Sequence, residues 1–146
     1  MKPEEATNLK KAFSEIIDNL VEKPEEDDYK SIDTIEKVYE KCGVKNTSSW
    51  IRTILPDHMV AYWQLTLIAE AINPEGWVAY FTDPNQKKWF PYPEVAPSGR
   101  GFSVPDYDFD VTHTSIGSKL LFADENRAKH AFETFPEIYE RFLNAK

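Results

Sequence analysis

The sequence predicts an α+β fold, a small antiparallel sheet of three or four strands packed against helices, with two N-terminal helices as an outer layer. Three observations predict it. Between Gly76 and Phe122, aromatic and β-branched residues come in short runs cut by prolines and glycines, the pattern of strands and turns. On either side of that stretch, apolar residues recur three and four positions apart, the helical spacing. The chain has 146 residues, of which 41% are hydrophobic and 29% charged, the size and balance of one folded domain. One α+β domain over 1–146 is therefore expected, with 1–55 as the helical N-terminal layer and 56–146 as helix, sheet and C-terminal helix.

The first helix is expected from Pro3 to Glu22, where Leu9, Phe13, Ile16, Ile17, Leu20 and Val21 form one apolar stripe. Glu22 to Asp28 holds a proline and no apolar side chain, and reads as a solvated linker. Asp33 and Glu36 have the spacing of a capping box for a second helix to Cys42, which Gly43 can end in the left-handed conformation. From Val44 to Pro56 the pattern weakens, and Trp50, Ile51, Ile54 and Leu55 read as anchors of a connecting segment. Asp57 is the expected N-cap of a third helix to Ile72, which has few polar positions and so belongs at the centre. Asn73-Pro74-Glu75-Gly76 stops it.

The expected strands are Trp77 to Phe81, Lys88 to Tyr92, Phe102 to Val104 and Ser118 to Phe122, with Pro105 to Ile116 as a loop. Pro91 and Pro93 lack N–H donors, which suits an edge or a strand end. The last helix opens near Asp124 and carries Ala128, Ala131, Phe132, Phe135, Ile138, Tyr139 and Phe142 in helical register, with a kink or break at Pro136. The third and last helices cover one face of the sheet, and Trp63, Trp77, Leu120 and Phe135 are expected in the core.

Charge and composition narrow the function classes. With 25 acidic residues against 17 basic, the formal net charge is −8, and no Lys/Arg cluster offers a nucleic-acid face. Cys42 is the sole cysteine, which excludes an intramolecular disulfide and a thiolate metal cluster. The opening Met1-Lys2-Pro3-Glu4-Glu5 has no apolar run, and a cytoplasmic protein with no membrane span is expected.

From Glu70 onward, Ala71-Ile72-Asn73-Pro74-Glu75-Gly76-Trp77, Lys88-Trp89-Phe90-Pro91-Tyr92, Gly101-Phe102-Ser103 and Ile116 to Phe122, with Phe135, Tyr139 and Phe142 on the last helix, follow a distinctive order. That order resembles a family of small uncharacterised proteins from Bacteroidetes genomes, many of them in prophage or other mobile-element neighbourhoods. Two positions depart from it: Lys119 stands where arginine is commoner, and Pro136 interrupts a helix that usually runs through. The resemblance implies a cytoplasmic, phage-related or mobile-element-associated protein, and no activity.

Several constellations carry part of a chemical signature. Asp106, Asp108 and Asp110 have the spacing that opens a calcium loop, but Val111 stands where such a loop needs glycine and Gly117 where it needs glutamate. An extended segment with its acids in water accounts for them. His58, His113 and His130 fall on different elements without partners at metal spacing. Ser115, Ser118 and Cys42 lack the context of an activated nucleophile, and the Gly99-Arg100-Gly101 and Gly117-Ser118-Lys119 fragments are too short for a phosphate loop. No cofactor, metal or catalytic residue is expected. The binding candidates are Trp89, Tyr92 and Arg100 with Lys87 and Lys88, read first as a surface for a protein partner or for self-association. The alternative is a single-stranded nucleic-acid platform, with an enzyme third.

Overall fold

The structure is a computed structural model and describes residues 7–14, 27–45, 48–94, 98, 106–110 and 117–144. Its helices are α1 (residues 7–14), α2 (Ile35–Lys41), α3 (Ser48–Ile54), α4 (Asp57–Ile72), α5 (Glu125–Thr134) and α6 (Pro136–Leu143). One antiparallel ladder joins β1 (Lys88–Tyr92) to β2 (Asp106–Asp110), and Tyr29–Ser31 and Ser118–Leu120 are 3-10 turns.

The helix α4 ends at Ile72 as its sequence predicts and starts one residue before the expected first turn, since Asp57 is not its N-cap; it is central because it is apolar on nearly every side. Val60, Ala61, Leu65, Leu67, Ile68, Ala69, Ala71 and Ile72 are all buried along it. It packs against α2, α3, α5, α6 and both 3-10 turns. Proline supplies its start: Pro56 occupies the cap position, and Asp57 is the first helical residue, its carboxylate held by Arg141 of α6. At the other end Asn73 caps the helix with its N–H on the Ala69 carbonyl.

Asp124 caps α5 as its sequence predicts, accepting from the Arg127 N–H at 2.9 Å. Pro136 breaks the C-terminal helical pattern into two helices. It sits in the first turn of α6, where a missing N–H is harmless, and the buried Phe135 forms the corner. At α2 the cap is Thr34, which accepts from the Lys37 N–H, and not Asp33. Asp33 instead takes the Lys37 ammonium at 2.7 Å. Gly43 ends α2 with φ +67°, as its position predicts. Residues 48–54, read in sequence as a connecting segment, form α3, and Ile54 and Leu55 are exposed rather than anchored. Leu120 and Phe135 are buried, whereas Trp63 and Trp77 are half-buried. Of the first predicted helix only residues 7–14 are described, and there Leu9 and Phe13 face outward.

The predicted α+β class with a sheet of three or four strands is contradicted: the protein is mostly helical. Among the described residues, Lys88–Tyr92 is the one expected strand that forms, and its ladder partner is Asp106–Asp110, within the stretch that the sequence predicts as loop. The stretch 102–104 lies outside the described residues. Side-chain amides explain why the sheet stops. Along residues 77–81 the Gln86 amide accepts from the Tyr80 N–H at 2.6 Å and donates to the Val78 carbonyl at 2.8 Å, in the place of a neighbouring strand. Residues 118–120 coil into a 3-10 turn, and only Phe122 reaches β1, exchanging both backbone hydrogen bonds with Trp89 at 2.8 and 2.9 Å. On the far side of that segment Asn73 ends the pairing, donating to the Leu121 carbonyl at 2.8 Å and accepting from the Ala123 N–H at 2.9 Å. Because Trp89 turns its backbone groups toward Phe122, Pro91, two residues on, turns the same way and leaves the β2 ladder intact.

Asn73 therefore joins the end of α4 to the segment that carries Phe122 into the core. Asn73→Ala leaves the Leu121 carbonyl and the Ala123 N–H without their partner, and the expected loss is about 1–3 kcal/mol in urea unfolding. Met59→Ala, at an exposed position on the same helix, is expected to change stability by less than about 0.5 kcal/mol. Equal midpoints for the two variants would refute this assignment.

Candidate functional site

The five predicted binding residues do not form one surface among the described residues. Lys88 is fully buried: its ammonium donates to the Gln86 carbonyl at 2.6 Å and lies 5.2 Å from the centre of the Phe81 ring. The turn before β1 thus folds back and supplies carbonyl oxygens to the charge. Trp89 is half-buried against the main core, on the bridge to Phe122. Lys87 is exposed, and Tyr92, 59% exposed, ends the strand facing solvent. Arg100 lies outside the described residues, as does His113.

Asp106, Asp108 and Asp110 lie on β2, in register with Tyr92, Phe90 and Lys88. Among the described residues no group of three His, Cys, Asp or Glu is placed to hold a metal ion. His130 is half-buried on α5, its Nε2 2.9 Å from the Ile32 carbonyl and its ring edge-on to Tyr29. No helix of the described residues is long and apolar enough to cross a membrane.

An open groove of about 1510 Å³ is formed by described residues that no single stretch of sequence announces. One wall comes from α4, with Tyr62, Thr66 and Glu70, and the facing wall from Trp77, Val78 and Ala79. Lys41, Cys42, Asp28, Glu75 and Lys119 also line it. Its residues come from four separate parts of the chain, and for that reason spacing could not reveal it. A partial signal was present in the residues 77–81, where apolar side chains sit at every position after a helix-stopping Pro-Glu-Gly.

The wall at 77–81 has a distinct arrangement. Burial alternates along it: Ala79 packs with Phe90 and Leu121, Trp77 and Phe81 pack against the same cluster, and Val78 and Tyr80 are exposed. This is the alternation of an extended strand. Gln86 occupies the backbone groups of Val78 and Tyr80. Among the described residues the Ala79 N–H and C=O have no hydrogen-bond partner, although Ala79 is only 9% exposed.

The Cys42 thiol, at the groove, donates to the Leu67 carbonyl of α4 at 3.4 Å. Burial pushes its pKa up to about 11, with the Glu70 carboxylate adding to the effect. The thiolate needed for nucleophilic attack is therefore scarce at neutral pH. The unfolded chain gives up this proton first as pH rises. The neutral thiol's contribution to stability is thus complete below 9.0 and is lost between 9.0 and about 11. Native Cys42 is expected to react with iodoacetamide at pH 8 at least about tenfold more slowly than in urea-unfolded protein. Equal rates would show that the thiol is neither buried nor shifted.

No family model, curated protein or solved structure matches this chain.

Proposed function

We propose that this protein is a non-catalytic protein-interaction module, of the mobile-element setting that the resemblance of its C-terminal half implies. The observation that carries this reading is the fate of Lys88. A stacking platform for single-stranded nucleic acid needs aromatic faces within a positive groove. Here the lysine beside Trp89 is withdrawn into the protein and its charge is spent on carbonyl oxygens and an aromatic ring. Near β1, Val78, Tyr80 and Tyr92 are left facing solvent, on a chain of net charge −8. Exposed apolar and tyrosine side chains with Lys87 as the one exposed lysine in the adjoining residues 86–92 favour a protein partner, since tyrosine is enriched at such interfaces and phosphate is repelled by an acidic surface.

Tyr92 is the residue on which to test this, because Trp89 also supports the core and its loss would confuse binding with folding. Labelled single-stranded DNA and RNA oligonucleotides are expected to bind no tighter than about 100 μM near physiological salt. A protein captured on the immobilised chain and identified by mass spectrometry is expected to be held about tenfold more weakly by Tyr92→Ala. Micromolar oligonucleotide binding with a clear salt slope would overturn the reading.

A further inference from the structure

Resting on that reading, we propose that the groove between α4 and residues 77–79 binds an extended, basic peptide, which adds as a strand to the open backbone edge at Ala79. An extended chain turns the hydrogen-bonding groups of alternate residues to opposite sides. Along 77–81 one side is filled: the Gln86 amide bonds Val78 and Tyr80 as a strand would. The other side carries the N–H and C=O of Ala79, which have no partner among the described residues and which sit where the segment lines the groove. A strand edge of this kind is a template for main-chain pairing, and a peptide laid beside Ala79 would receive one hydrogen bond and give one. The amide of Gln86 fixes the segment in the extended form beforehand, so little order is left to impose on binding.

Charge selects among possible strands. Asp28, Glu70 and Glu75 line the groove without an ion pair among the described residues, against Lys41 and Lys119. Asp27, also at the groove, is held by Arg127. A second copy of this chain would bring a net charge of −8 to a surface of the same sign, whereas lysines on a peptide meet free carboxylates.

The test uses the whole chain and a fluorescein-labelled peptide, Lys-Val-Lys-Thr-Lys-Val-Lys, followed by anisotropy. Saturable binding is expected, at least tenfold tighter than for the same peptide with glutamate in place of lysine, together with slower hydrogen exchange at the Ala79 amide. Methylating alternate backbone nitrogens of the peptide keeps its charge and removes its donors, and should weaken binding at least tenfold. Glu75→Lys, an exposed substitution at the groove, should weaken it severalfold without unfolding the protein. Equal binding by the methylated peptide, or no change in Glu75→Lys, would reduce the attraction to bulk charge and overturn the proposal. Failure of the basic peptide to bind at all would also overturn it. Loss of a captured protein in Tyr92→Ala would, in that case, leave the interaction-module reading standing.

Discussion

The end of α4 is the joint on which the structure depends. There Asn73 holds the segment 121–123 through both ends of its amide, and one residue earlier the Ile72 carbonyl accepts from the Arg127 guanidinium. Arg127 is buried and each of its three guanidinium nitrogens donates: it also binds the carboxylates of Asp124 and Asp27, and its guanidinium lies 4.3 Å from the centre of the Tyr29 ring. The last carbonyls of a helix lack internal partners and carry its negative end, so a cation placed there satisfies a bond and a dipole together. Two side chains thus connect α4 to α5, to the Phe122 bridge and to the segment at 27–29. Removing either would leave backbone groups at this joint without their partners.

Side-chain amides do the same work elsewhere. Gln86 stands in for a strand along residues 77–81, and Gln64, buried in α4, donates to the Tyr39 hydroxyl at 2.8 Å and accepts from Arg141 at 3.1 Å. Arg141 in turn grips Asp57 with three bonds of 2.8–3.0 Å, and this holds the Asp57 carboxyl below the usual range. An amide has one donor end and one acceptor end, like a peptide unit, and it can close a backbone edge without the entropy cost of ordering another strand. The small ladder follows from this. Where an amide covers only one side of a segment, as at 77–81, the other side is left open to the groove.

Burial of Lys88 carries a functional consequence as well as a structural one. A charged ammonium tolerates such a position only when carbonyl dipoles replace its water, and the turn at 83–86 supplies them. The same arrangement that makes β1 stable thereby removes a cation from the surface beside Trp89 and Tyr92.

The local signals in this sequence were sufficient wherever a residue's effect is confined to its own turn of chain. Helical spacing and the stop at Asn73-Pro74 placed α4 and its end at Ile72, although Asp57 is its first residue and not the expected cap; β-formers between turn residues bounded β1 at Lys88 and Tyr92, and Asp124 and Pro136 set the start and the break of the last helices. What those signals could not carry is reach. Alternating acids and aromatics at 106–110 are compatible with loop or strand until a partner in register is known, and the residues 77–81 look like a strand whether a strand or a glutamine satisfies them. The groove assembled from four parts of the chain was decided by tertiary contacts, and the direction of Lys88 and the open edge at Ala79 by the way the turn at 83–86 folds back on its neighbours. Each depends on which polar group meets a given backbone N–H or C=O, and the linear pattern of hydrophobicity contains no term for that.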